Sequence, residues 1–249
     1  AVGDSISSYV VSMLDQMFVA GLTKRLTAAL TSLAASIPSV LKQIQERLLD
    51  TISLILARTP YNPVTSRSAV TMPDVDHNDQ ETIELALRTL GEFNMRGFNL
   101  TEFVKDCVIT YLEDDSPEIR KEAAKTCCKL LVSEGKPPVK GHFGYVVGDV
   151  LTKLLTVGIT DSDPSIRLAV LSSLDDRFDH YLALSDNLRA LFIALNDENF
   201  EIRECSISII GRLSIRNPAF VLPSLRKALL QLLTELEFSE DSRNKEESA

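Results

Sequence analysis

A short phrase recurs three times in this chain: an aspartate, a run of polar or turn residues, then Ile-Arg at the start of an apolar-periodic stretch. It reads D-D-S-P-E-I-R at 114–120, D-S-D-P-S-I-R at 161–167 and D-E-N-F-E-I-R at 197–203. In each copy the Asp lies six residues before the Arg, and the copies are spaced by 47 and 36 residues. Self-similarity at this period marks stacked helical units that cannot bury their apolar faces alone and must borrow a core from their neighbours. The expected fold is therefore an all-α solenoid of antiparallel helix pairs, and function is expected on its surfaces.

The chemistry of the phrase places it between the two helices of one unit. Asp and Ser beside Pro117 or Pro164 favour a turn followed by a helix start, because their oxygens accept from orphan N–H groups and Pro is tolerated in the first helical turn. The Ile then opens a buried stripe, Ile119, Ala123, Cys127, Leu130 and Leu131 in the first copy and Ile202, Ser206, Ile209, Ile210 and Leu213 in the third. A charge repeated at one position of stacked units forms a row. Arg120, Arg167 and Arg203 are thus expected to pair with Asp114, Asp161 and Asp197 of the same or neighbouring turns. Paired helices at this period correspond to a HEAT-type α-solenoid.

Composition narrows the function classes. Acidic residues outnumber basic ones 35 to 26, giving a net charge of −9, and no basic stripe interleaved with aromatics occurs. Nucleic acid is a poor ligand for such a chain, since phosphate neutralisation needs clustered Lys and Arg. The apolar runs are interrupted, as by Arg226 and Lys227, so no span of about eighteen residues is expected and the chain reads as soluble, without membrane insertion. Cys107, Cys127, Cys128 and Cys205 lack zinc-site spacing, and His77, His142 and His180 lie far from them in sequence. Buried free thiols in a reducing, intracellular compartment are the better reading. Adjacent Cys127 and Cys128 cannot face one core together, so one is expected to point into a neighbouring unit.

The chain divides into N-terminal helical repeats at 1–57, a mobile linker or insertion at 58–78, and repeats at 79–249 that stop inside a further unit. Helices are expected at 4–18 and 22–35, broken by Gly21, and at 38–57. Pro60, Pro63 and Pro73 mark the linker, where Thr59, Ser66 and Ser68 form a composition that kinases modify and an unmodified linker is the simpler reading. Helical pattern resumes behind Asn78 or Asp79 and continues near 100–112 and through the first phrase to about Val132. A Pro- and Gly-containing loop, 133–142, precedes the next helix. A final helix at about 218–238 is expected to bury Leu225, Leu229, Leu232, Leu233 and Leu236. The chain opens on Ala-Val-Gly-Asp without a signal pattern and reads as a piece of something longer.

No nucleotide-binding, kinase, zinc-protease or hydrolase motif occurs in the sequence. Catalytic, cofactor-binding and metal-ligating residues are accordingly none. One turn stands out, D-D-R-F-D at 175–179, where Arg177 and Phe178 are a candidate partner contact, with a plug for the adjacent groove as the alternative role of the ring.

Several runs carry a resemblance closer than fold. L-T-E-F-V-K-D-C from Leu100, K-L-L-T-V-G-I-T-D-S-D-P-S-I-R from Lys153, L-F-I-A-L-N-D-E-N-F-E-I-R-E from Leu191 and G-R-L-S-I-R-N-P-A-F-V-L-P-S-L-R-K from Gly211 resemble the N-terminal HEAT-repeat region of the target-of-rapamycin (TOR) Ser/Thr protein kinases. The resemblance is strong from about Asp79 onward and softer before Arg58, and the 58–78 and 136–142 loops depart from it. It implies a non-catalytic scaffold segment of a large nutrient- and growth-signalling kinase. Implied partners are Raptor-type and Rictor-type subunits, other TOR segments or a second TOR chain. It implies a cytoplasmic location, peripheral on vacuolar or lysosomal membranes through the parent complex. ATP and Mg would serve the parent kinase, and none of their binding residues maps here. A free-standing HEAT-repeat adaptor, such as a phosphatase scaffold or transport receptor, is the alternative function.

Overall fold

The computed structural model describes residues 9, 12–14, 16–61, 79–132 and 141–247. Among them every regular element is helical. In chain order they are α1 (Lys24–Ser36), α2 (Leu41–Ala57), α3 (Gln80–Glu92), α4 (Thr101–Asp106), α5 (Pro117–Leu131), α6 (His142–Thr160), α7 (Pro164–Ser173), α8 (Asp179–Leu182), α9 (Ser185–Ala194), α10 (Phe200–Leu213) and α11 (Pro218–Glu247). Short 3-10 turns cover Pro38–Val40, Val108–Glu113 and Asp176–Phe178.

Successive helices alternate between two rows. The second helices, α3, α5, α7 and α10, pack each on the next. Across from them, α4 and α9 both pack on α6, and each first helix packs on the second helix of its own pair. This is a HEAT-type α-solenoid of antiparallel pairs. One core cluster runs without a break from Leu14 to Val221, as expected when each unit buries its face against its neighbours. The predicted stripe of the third phrase, Ile202, Ser206, Ile209, Ile210 and Leu213, is buried throughout, and that of the first is buried except Leu130.

Several boundaries differ from the sequence reading for local reasons. The helix expected at 100–112 breaks at Cys107 (φ −120°, ψ −62°) into α4 and a 3-10 turn. The β-branched run Val108, Ile109 and Thr110 disfavours continued α-helix, and the Thr110 hydroxyl donates back to the Cys107 carbonyl. Helix α2 begins only after the Pro38 turn. It ends at left-handed Arg58 (φ +58°). The start of the expected linker is tied to the helices: Ser53 donates to the Thr59 carbonyl at 2.6 Å, and half-buried Tyr61 meets Phe103 edge-on at 5.7 Å. The rest of that linker and the loop at 133–140 lie outside the described residues. Asp79 caps α3 through the Glu81 amide, and Gly21 (φ +76°) supplies the break before α1.

Helix α6 corrects a second expectation. Its 19 residues are long and apolar enough to cross a membrane by length and composition, with mean hydropathy 1.3. Here it is a core helix: Val146, Val147, Val150, Leu151, Leu154 and Leu155 are buried against α7 and its row neighbours.

The tightest crossing lies between α3 and α5. A Cβ on Gly91 would sit 2.8 Å from the Thr126 hydroxyl oxygen, and that hydroxyl is itself committed to the Leu87 carbonyl at 2.8 Å in a buried site. Gly91→Ala should therefore destabilise the chain by about 1–3 kcal/mol, read as a lower thermal midpoint. Ala at Gly148, where a Cβ meets nothing within 4 Å, should leave the midpoint unchanged or raise it.

Candidate functional site

Each repeat turn is built by its aspartate before any partner is involved. Asp114 accepts from the Ser116 amide, Asp161 from the Asp163 amide and Asp197 from the Asn199 amide, all at 2.9 Å through Oδ1. Asp163 and Asn199 then cap α7 and α10 through the amides of Ser165 and Glu201. These side-chain bonds satisfy the donors that a helix start leaves unpaired.

The arginine of each phrase uses its guanidinium in two directions. Backward, Nη1 of Arg120 donates to the Asp114 and Asp115 carbonyls, that of Arg167 to the Asp161 carbonyl, and that of Arg203 to the Asp197 and Glu198 carbonyls. Forward, Arg120 grips Asp161 through Nε and Nη2 at 2.9 and 3.1 Å, and Arg167 grips Asp197 at 2.8 and 2.9 Å. The forward bonds cross to the next unit, so the carboxylate partner is the neighbouring turn's and the own-turn partner is its backbone. Both Arg167 and Asp197 side chains are only 7% exposed. The hydrogen bond from Arg167 holds the Asp197 carboxyl below its usual range. Among the described residues, α3 carries no arginine in its first turn to extend the row. Glu84 pairs instead with Arg88, which also approaches Glu122 at 3.7 Å.

A second set of arginines serves the opposite helix ends. Arg177 donates to the Val132 carbonyl at 2.9 Å while bonding Asp175, and Arg212 donates to the Leu174 carbonyl at 2.8 Å while bonding Asp179. They satisfy carbonyls left open where α5 and α7 end. The expectation of an exposed contact at Arg177 and Phe178 is corrected accordingly. Phe178 is fully buried, and Arg177 lies over its ring at 5.8 Å with its guanidinium on the preceding unit's backbone. The ring is the plug. Sequence reasoning missed Arg212; its position in the last turn of α10 was the available signal.

Three of the four thiols are core packing groups. Cys107, Cys127 and Cys128 are buried, and burial pushes Cys107 up to about 11 and Cys128 up to about 12. Cys127 lies on the Cys107 side, whereas Cys128 faces Arg177 and Asp175 of the next unit. Among the described residues no group of His, Cys, Asp and Glu could hold a metal. His142 meets only Glu102, at 2.8 Å on the surface.

Surface apolar groups gather at the C-terminal end. Leu229 and Leu233, expected in the core, are 55% and 52% exposed, with Leu222 and Leu230 similarly open. Helix α11 packs on α10, burying Val221 and partly covering Leu225 and Ala228, while the flank that carries Leu222, Leu229 and Leu233 is open. Leu232 and Leu236 lie outside the described side chains. Beside this flank a groove of about 320 Å³ runs between α9 and α11, lined by Phe192, Ile193, Leu195, Phe220 and Ala228 with Arg189 and Lys227 at its rim.

Directional, side-chain-stitched stacking of helix pairs defines a HEAT-type repeat protein. No protein-family model matches the chain. It is 48% identical over 251 residues to "Serine/threonine-protein kinase tor1" of Schizosaccharomyces pombe, an alignment covering 96% of this chain and 11% of that protein. It is 39% identical to "Serine/threonine-protein kinase TOR" of Arabidopsis thaliana over 100% of this chain and 11% of that one, and 36% identical to "Serine/threonine-protein kinase TOR2" of Saccharomyces cerevisiae over 95% and 10%. The chain belongs to the TOR family and spans about a tenth of the length of these relatives.

Removing one partner of the buried pair leaves the other charge uncompensated. Asp197→Ala should cost about 3–5 kcal/mol in urea denaturation at pH 7. Because its folded pKa is depressed, Asp197 contributes stability above its unfolded value near pH 4 and loses it as pH falls through the folded value. Asp197→Asn should therefore flatten the fall in stability on acidification below about pH 4.

Proposed function

We propose that this chain is a non-catalytic scaffold segment of a TOR-type Ser/Thr protein kinase, docking accessory subunits of TOR complexes and supporting dimer assembly. The observation that carries this reading is the match of essentially the whole chain to kinases named TOR, coincident with an uninterrupted helical-repeat array. Arg120, Asp161, Arg167 and Asp197 are consumed in bridging units. That leaves the outward helix faces as the chemistry on offer. In this reading ATP and Mg belong to a kinase domain elsewhere in the parent, the location is cytoplasmic, and the partners are Raptor-type and Rictor-type subunits or further TOR segments. The net charge of −9 favours partners with basic faces and makes binding sensitive to salt.

Pull-down of the folded chain with purified Raptor-type and Rictor-type subunits at two salt concentrations tests the proposal. Saturable binding of at least one subunit, weaker at the higher salt, is the expected result. Failure of a folded, helical chain to bind either subunit at either salt would contradict it.

A further inference from the structure

We infer that the groove between the Val108–Glu113 turn and α6 is a docking site for an extended segment of a partner protein that carries a basic, an apolar and an acidic residue at alternate positions. The inference deepens the scaffold reading by giving a docked segment its chemistry. It is tested with no TOR subunit present, so its failure and the failure of that reading are separate results.

The groove has a volume of about 320 Å³ and lies in the row of first helices, in the middle of the array. It opens where the first helix of its unit gives way at Cys107 to a 3-10 turn, a tighter coil than the α-helix beside it. Its floor is apolar, made by Ile109, Leu112 and Val157. On the α6 wall the Thr156 and Thr160 hydroxyls donate to the Thr152 and Thr156 carbonyls of their own helix, which leaves discrimination to charge. The charges stand at opposite ends. The Val108–Glu113 turn and α6 each lead into a repeat turn, and Arg120 ties those two turns together through Asp161. Glu113 therefore lies level with the end of α6, whereas Lys153 lies eight residues before Asp161, about 12 Å back along the helix. Asp161 is committed to Arg120. Glu113 and Lys153 are exposed, and among the described residues neither is paired. In an extended peptide, residues i, i+2 and i+4 share one face and the outer two stand about 13 Å apart. A basic side chain at one end then meets Glu113, an acidic one at the other meets Lys153, and the apolar residue between them covers the floor. A uniformly basic segment would set a cation against Lys153, and an uncharged one would leave both charges unanswered.

Fluorescently labelled peptides with the cores R-A-L-A-E, E-A-L-A-R, R-A-L-A-R and E-A-L-A-E, titrated into the folded chain and read by anisotropy, test this. The expected result is saturable binding of a mixed-charge peptide, in whichever order suits the groove, about threefold or more tighter than either same-charge peptide. Replacing its Leu by Ser should weaken it by at least as much. Both side chains are exposed, so Glu113→Lys and Lys153→Glu should leave the thermal midpoint unchanged while moving the preference. Lys153→Glu should turn it toward R-A-L-A-R, and Glu113→Lys toward E-A-L-A-E. Binding of neither mixed-charge peptide, a same-charge peptide bound as tightly, or a preference that both variants leave where it was overturns the proposal.

Discussion

The structure depends on a guanidinium shared between two turns. Arg167 holds the Asp161 carbonyl of its own turn and both carboxylate oxygens of Asp197 in the next, almost wholly out of water. A buried pair of this kind is not a large net source of stability relative to apolar packing, but it penalises every arrangement in which one partner is missing. It thus specifies which turn lies against which. Apolar stripes alone would tolerate sliding of one helix pair along another; a bidentate pair with fixed fork geometry does not.

Packing follows from that register. With the turns aligned, α3, α5, α7 and α10 lie side by side, close enough at Gly91 that only a hydrogen side chain fits against Thr126. The opposite ends of α5 and α7 are held by Arg177 and Arg212, each reaching from the following unit to a carbonyl of the one before. Both ends of the middle units are therefore tied to their neighbours through charged side chains on backbone and carboxylate. The hydrophobic core between the ties, including Phe178 and the adjacent free thiols Cys127 and Cys128, needs no polar partner of its own.

The repeat turns and their buried stripes were legible because both arise from local chemistry: an Asx turn, a cap and helical periodicity. The pairing direction was only half legible. The phrase showed that Asp and Arg would meet, while the step from Arg120 to Asp161 depends on how units stack. Phe178 was ambiguous for the same reason, since charges around an aromatic describe a surface turn equally well until Arg177 is seen capping α5. Leu229 and Leu233 carry a sound helical pattern, but burial requires a neighbour that pattern cannot supply. The break at Cys107 reflects the β-branched run that follows it, whose effect against helical periodicity is decided by tertiary contacts.

The consequence is an array in which each shared rung ties one unit to the next, and the central claim is that the rung couples their stability. Amide hydrogen exchange on Arg167→Ala measures that coupling directly. Protection should fall in α9 and α10 together, beyond the altered rung, while α3 and α5 keep theirs. Protection in α9 and α10 equal to that of the unaltered chain would contradict the claim that the ladder joins the array.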